Sequence, residues 1–270
     1  MKLSVSNIAW SPDQRLDAYA LLRDHAVSGL EFAPGLLFPD LAAPLDATAQ
    51  ECEQVLLQLA EFGLRPSSMQ SLLFGADNAR LFGSPLEQET LQDTMKGAIR
   101  LAARLGCENL VFGSPKNRVI PDDMTKAQAE AIWRDSFFRM GDAAAAAGVV
   151  IALEPNPEQY GTNFMTRISD TLDVVKSLDH PAIRMNLDLG AAIMTHEIET
   201  FETWLPAALS VSNHVHLSTP ELAPLSTQVP VVRHAAGALD ATGWRKWISV
   251  EMRGGIPALS ESLTSCFGPR

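Results

Sequence analysis

One local pattern returns along this chain and limits its folding more than any other feature: an amphipathic segment, a glycine, a short apolar run, then polar residues. Leu59-Ala60-Glu61-Phe62-Gly63 leads into Leu64 to Met69 and then Gln70. Ala102 to Gly106 leads into Asn109-Leu110-Val111-Phe112, followed by Gly113-Ser114-Pro115-Lys116. The same order appears in Ala26 to Gly29 before Leu30-Glu31-Phe32, in Ala143 to Gly148 before Val149 to Leu153, and in Ala241-Thr242-Gly243 before Trp247 to Val250. A glycine just past a helix end supplies the left-handed turn that stops it, so each unit reads as a helix returning to the next parallel strand. Glycines 29, 63, 106 and 148 stand 34, 43 and 42 residues apart. That fits one βα unit with a variable loop and is too irregular for a solenoid.

Filling the gaps predicts eight strands, near Leu3–Ser6, Gly29–Phe32, Arg65–Met69, Asn109–Phe112, Val149–Leu153, Ile183–Leu187, His214–Leu217 and Trp247–Val250. Helices near 13–26, 47–62, 87–105, 125–147, 168–178, 197–209, 231–242 and 257–264 alternate with them. Eight alternations in 270 residues fit an α/β fold closed into a (β/α)8 barrel better than an open doubly wound sheet. No GxGxxG follows the first strand, which argues against a dinucleotide site. Nothing resembling a linker or low-complexity segment cuts the chain, so residues 1–270 are expected to form one domain.

Hydrophobic residues at 46% supply a substantial core, and a net charge of −11 argues against a nucleic-acid partner. The same charge leaves room for a small anionic substrate held by local cations. Cys52, Cys107 and Cys266 lack metal-ligand spacing and are expected to be buried and reduced. The first seven residues lack a signal peptide's apolar region, and no run reaches the ~18 apolar residues of a membrane span. The expectation is a soluble cytoplasmic protein without a membrane partner.

Chemistry in such a barrel lies where the strands meet the loops that follow them. The polar residues there are Glu31, Gln70, Ser114 with Lys116, Glu154, Asp188, His216 and Glu251. A carboxylate at the end of a doubly buried strand, as Glu154 is against Pro155, is costly unless a cation or a reaction uses it. Glu154, Asp188, His216 and Glu251 close the fifth to eighth strands, which are neighbours around the barrel. Three carboxylates converging there would repel one another. A divalent ion held by three oxygens and one imidazole nitrogen removes the conflict. His214 and His216 face the same side of their strand. His216 is nearer the strand's end and is the expected ligand, with His214 an interior hydrogen-bonded residue.

Ala152-Leu153-Glu154-Pro155-Asn156-Pro157, Asn186-Leu187-Asp188-Leu189-Gly190, His214-Val215-His216-Leu217 and Ser249-Val250-Glu251-Met252 together resemble the xylose isomerase-like TIM barrels. The four motifs lie at gaps of 34, 28 and 35 residues. That group includes sugar and sugar-phosphate isomerases, ketose 3-epimerases, inosose dehydratases and endonuclease IV. The resemblance implies a Glu154-Asp188-His216-Glu251 site for a divalent Mn, Mg, Co or Zn ion. It also implies an isomerase or epimerase abstracting a proton beside a carbonyl through an enediolate, with Glu154 and Glu251 as the acid–base pair. An inosose-type dehydratase on the same site and a non-catalytic sugar-binding barrel are the alternatives.

The endonuclease IV site holds three zinc ions and several additional histidines, whereas this chain has six histidines in all and Gln70 where one would be expected on the third strand. Two further departures concern substrate contacts: Ala191 replaces a histidine common three residues after the aspartate, and Ser218-Thr219 replace a Lys-Asp pair. The expected substrate is a small carbohydrate or polyol, free or phosphorylated. Lys116 with Arg118, and Glu158, Arg253 and His234, are candidate contacts to it. Trp10, Phe32, Phe38 and Phe74 are aromatic residues for which ordinary packing is the default. The apolar loop stretches Leu36 to Phe38 and Leu72 to Phe74 would suit a homo-oligomer or closure over a ligand.

Overall fold

Eight parallel strands close into a barrel in chain order, β1 to β8. They are β1 (Lys2–Ser6), β2 (Gly29–Phe32), β3 (Arg65–Met69), β4 (Asn109–Phe112), β5 (Val150–Leu153), β6 (Ile183–Asp188), β7 (Ser212–Leu217) and β8 (Trp247–Val250). Pairing of β1 with β8, Val5 opposite Val250, completes the ring. The structure is a computed structural model that describes residues 2–268, so both ends of the expected 1–270 domain lie outside the described residues.

A principal helix follows each strand: Arg15–Asp24, Ala49–Glu61, Pro85–Leu105, Lys126–Ala146, Ile168–Leu178, Phe201–Val211, Val229–Ala241 and Gly255–Phe267. Thr48, Ser84 and Thr125 start three of them with capping boxes closed by Glu51, Glu87 and Gln128. Each box satisfies two N–H groups that would otherwise lack partners. The helix expected from residue 197 begins as a tighter turn, Glu197–Thr200, before Phe201. Two short helices, Pro34–Leu37 and Leu189–Met194, lie in βα loops and were not expected.

Gly63, Gly106 and Gly148 take positive φ of 70°, 62° and 71° behind their helices, as the repeating pattern requires. Gly29 does not. The first helix ends at Asp24, and Ala26 takes the left-handed conformation at φ 54°. Gly29 opens β2, where a Cβ would lie 2.6 Å from the Trp247 ring and 2.8 Å from Ser4 Cβ. Its missing side chain serves packing across three strands rather than the turn.

All four residues of β2 and β4 are buried. Doubly covered strands carry their apolar residues in runs rather than in alternation, which is why they are legible as short blocks. Burying a Leu or Phe side chain contributes roughly 1.5–3 kcal/mol, and Leu30, Phe32, Leu110 and Phe112 are all fully buried. The three cysteines are buried and free. No helix among the described residues is long and apolar enough to cross a membrane.

Toward the strand N-termini, neutral groups satisfy one another. Ser4 and Ser67 hydroxyls lie 2.6 Å apart. Asn109 Nδ2 donates to Ser68 Oγ at 2.9 Å, and Asn213 Nδ2 donates to Asn109 Oδ1 at 2.8 Å.

Candidate active site

At the other end of the strands the polar groups are charged. The backbone of Glu154 still bonds to β4, its N–H donating to Phe112 carbonyl, before Pro155 ends the ladder. Gly113, just beyond β4, makes room for it: a Cβ there would lie 2.5 Å from Glu154 Oε2. Asp188 closes β6 and caps the helix Leu189–Met194 by accepting from Ala191 N–H. The Ser218 hydroxyl donates to Asp188 Oδ2 at 2.6 Å and accepts from Gly190 N–H at 2.9 Å. Thus Ser218, one of the two departures noted after β7, holds the aspartate in place. Glu251 follows β8, with its N–H on Leu217 carbonyl.

The four side chains Glu154, Asp188, His216 and Glu251 meet, one oxygen or nitrogen of each within 4.8 Å of the others. His216 Nδ1 lies 2.9 Å from Glu154 Oε1, 3.2 Å from Glu251 Oε2 and 3.8 Å from Asp188 Oδ2. It is fully buried and within reach of all three, yet it is not aligned to hydrogen-bond with any one of them. An orphaned imidazole nitrogen aimed among three carboxylates is a donor set that fits a divalent cation.

Electrostatics tell the same story. Burial, with Glu154 and Glu251 nearby, pushes the Asp188 carboxyl up to about 7. Burial also raises Glu251, against the pull of His216. At Glu154 burial is outweighed by His216, Asn156 and Asn186, and its pKa falls. Burial opposes charge on His216, but Glu31 and Glu251 outweigh it and hold the ring protonated well above its ordinary range. Without a cation the cluster keeps protons it would otherwise release.

Behind His216 stands Glu31, completely buried. Its Oε2 lies 2.9 Å from His216 Nε2 and 3.2 Å from His214 Nε2. By accepting from Nε2–H it turns the Nδ1 of His216 toward the carboxylates. Burial alone would raise Glu31, but His216 and His214 draw it well below the usual carboxylate range. Gln70 Nε2 stands 3.0 Å from Glu31 Oε1 and 2.9 Å from Glu251 Oε1, tying the two glutamates together. His214 Nε2 also meets Ser249 Oγ at 2.8 Å, the interior role expected of it.

A cleft of about 760 Å³ is lined by Glu154, by Leu73, Phe74 and Gly75 after β3, and by Ser114 to Asn117 after β4. Lys116 lines it, and so does Phe74, whose 92% exposure sets it apart from the packed Trp10, Phe32 and Phe38. Leu37, Leu72 and Leu73 are buried rather than displayed.

Other candidates stand elsewhere. Arg118 does not join Lys116 in the cleft: it is fully buried, and its Nη2 donates to Asn156 Oδ1. Short sequence distance could not reveal that the chain turns inward there. His234 sits on the outer helix Val229–Ala241, bonded to Glu202 at 2.7 Å, and is not brought to the cluster. Glu158 and Arg253 are exposed in the loops after β5 and β8. Ala191 is buried within the helix that Asp188 caps, and exposed His196 faces Glu199. Among the described residues only His214 and His216 enter the barrel.

The sequence reading placed Glu31 and Gln70 at strand ends without assigning them roles, and it left Asn186 unassigned. Asn186 Nδ2 donates to Glu154 Oε1 at 2.7 Å. Its place two residues before Asp188, on the same face of β6, was the available signal.

Three solved structures illustrate what this fold is similar to. 3-Keto-D-glucoside 4-epimerase from E. coli superposes with a TM-score of 0.76 at 16% identity, covering 98% of each chain. D-Psicose 3-epimerase from Clostridium cellulolyticum H10 gives 0.73 at 14%, over 100% of this chain and 91% of that one. An AP endonuclease of family 2 from Brucella melitensis gives 0.70 at 19%, over 100% and 99%. No curated protein matches the sequence. The family model for xylose isomerase-like TIM barrels matches residues 19–265, a span from the first helix to the last that includes all four converging side chains. By fold and by that match, the chain belongs to the xylose isomerase-like TIM barrel family.

Proposed function

We propose that this protein is a divalent-metal-dependent isomerase or epimerase of a small carbohydrate, acting by proton transfer beside a carbonyl. The observation that carries the reading is the convergence of Glu154, Asp188 and Glu251 on the buried His216 Nδ1, which is not aligned to bond with any one of them. Such a cluster repels itself until a cation fills it. Glu154, Asp188, His216 and Glu251 would hold the ion, of Mn, Mg, Co or Zn type. When bound, it supplies positive charge that polarises the substrate carbonyl and favours the enediolate.

The chain's own residues do the rest. Glu154 and Glu251 follow β5 and β8, on separate sides of the barrel mouth, and act as base and acid toward the carbon beside the carbonyl. A proton taken from one face and returned to the other gives an epimer. A proton returned to the neighbouring carbon on the same face gives an isomer. Asp188 and His216 act as ligands, with Ser218 and Glu31 fixing their orientation. Lys116, on the cleft wall, would meet a hydroxyl or an anionic group at the far end of the substrate.

Keto sugars are the first substrates to try, because structural neighbours include epimerases of a 3-keto-glucoside and of D-psicose. The test is incubation with Mn²⁺ in D₂O and a panel of ketoses, sugar phosphates, keto-glucosides and inososes, read by NMR. Deuterium entering one C–H position, and lost in Glu154→Gln and Glu251→Gln, supports the reading. Loss of water from an inosose would instead favour the dehydratase alternative. Tight metal binding with no exchange across the panel would count against enolising chemistry.

A further inference from the structure

Arg118 is the largest fully buried side chain in the described residues. Its Nε and Nη1 have no hydrogen-bond partner, and Nη2 makes its single bond, to Asn156 Oδ1 at 2.8 Å. An apolar side chain would fill such a place more favourably than a guanidinium. Asn156 is thus the one group to which this buried charge is bonded.

Arginine only donates hydrogen bonds. Facing Arg118, the Asn156 amide must present its oxygen, and its Nδ2 must point the other way. There it donates to Glu154 Oε2 at 3.0 Å and to the Pro155 carbonyl at 3.1 Å. Asn186 supplies the matching donor to Glu154 Oε1. Both oxygens of Glu154 are thus held by amide donors, and the orientation of one amide is set by a buried cation. With no obligate donor behind it, the Asn156 amide can turn over and set oxygen against oxygen.

We propose that Arg118 is a positioning residue that acts through Asn156 to fix the carboxylate of Glu154. The proposal rests on the reading of Glu154 as a metal ligand and acid–base group. It adds a dependence of that ligand on a side chain with no exposed surface.

The experiment is titration of the purified full-length protein with Mn²⁺, followed by electron paramagnetic resonance. The variants are Arg118→Met, Arg118→Lys, Asn156→Ala and the Arg118→Met/Asn156→Ala pair. Removing an outer partner of a metal ligand typically weakens binding about 10–100-fold. Arg118→Met and Asn156→Ala should each weaken Mn²⁺ by about tenfold or more, and the double variant should be no weaker than the weaker single. Arg118→Lys, also donor-only, should restore most of the affinity. Additive losses, or Arg118→Lys as weak as Arg118→Met, would assign Arg118 a packing role and overturn the proposal. Should Arg118→Met fail to fold, Asn156→Ala decides alone: it leaves Arg118 in place, and unchanged affinity overturns the relay. A wild-type protein that binds no Mn²⁺ removes the metal reading and the proposal with it. Wild-type binding with indifferent variants removes the proposal only.

Discussion

The two ends of the barrel interior use polar residues in opposite ways. Near the strand N-termini, Ser4, Ser67, Ser68, Asn109 and Asn213 are neutral and bonded to one another. Near the C-termini, Glu31, Glu154, Asp188, Glu251 and His216 bring like charges together and leave His216 Nδ1 without an aligned hydrogen-bond partner. The orphaned buried atoms of Asn186, His214 and Arg118 also belong to this charged end or to the loops behind it. Strand residues at the N-terminal end are the more open ones, with Lys2 and Arg65 exposed and Val150, Asn213 and Trp247 half-buried, so the charges gather at the end where desolvation opposes them more. A closed neutral network contributes to folding by itself, whereas the charged end, on the function proposed above, is completed by a cation from outside.

The largest effect expected from this contrast comes from removing a carboxylate. Asp188→Asn or Glu251→Gln should weaken Mn²⁺ binding beyond the ~100-fold seen for outer partners. The same changes should raise the stability of the metal-free protein, because each removes one source of like-charge repulsion from the cluster. Calorimetry with and without Mn²⁺ measures both. Metal-free variants less stable than wild type would mean that the cluster is a structural ion-pair network.

Next comes Glu31→Gln, which lets the His216 ring turn and should weaken Mn²⁺ about 10–100-fold.

The pH dependence is of similar size. Asp188 is raised in the folded state to about 7, so the metal-free fold binds a proton that the unfolded chain releases. Its contribution to stability is full below the unfolded carboxylate range and is lost as pH rises from there through about 7. Metal binding must displace that proton, so Mn²⁺ affinity should strengthen as pH rises toward 7. His216, held protonated well above its ordinary range, should prolong the rise at higher pH. Titrations from about pH 5.5 to about 8.5, which span a histidine's ordinary range and the raised Asp188, check it; flat affinity would contradict the protonation scheme.

Asn109→Ala should behave in the opposite sense to the carboxylate changes. It strips Ser68 and Asn213 of a partner and should destabilise the protein by roughly 1–3 kcal/mol, with Mn²⁺ affinity unchanged. Smallest of all, Phe74→Ala removes an exposed side chain and should alter stability by no more than about 0.5 kcal/mol. Any effect it has should appear in substrate KM.

How far these features can be read in advance follows from how local they are. The barrel was legible because Gly63, Gly106, Gly148 and Gly243 stop helices ahead of β3, β4, β5 and β8, and because the gaps between these units leave room for the remaining strands of eight. Glu154, Asp188, His216 and Glu251 were legible as strand-end residues on four consecutive strands, and the structure brings them together. Gly29 misled because the sequence shows a glycine between helix and strand but not the Trp247 ring lying over it. Glu31 was visible, but its contact with His216 crosses the barrel between residues 185 positions apart. Lys116 and Arg118 look equivalent in sequence. One turn of chain sends the first to the cleft and the second into the core, and nothing in their spacing says which. His234 was placed by its distance from β7 and β8, whereas the outward face of its helix sets its position.

One measurement bears most directly on the account: isothermal titration of the metal-free wild-type protein with Mn²⁺, alongside Glu154→Gln and Asn109→Ala. The account predicts one ion per chain with proton release, loss of that binding in Glu154→Gln, and wild-type binding in Asn109→Ala. Absence of binding in the wild type, or binding that survives Glu154→Gln, would contradict a metal site at the C-terminal end of the barrel.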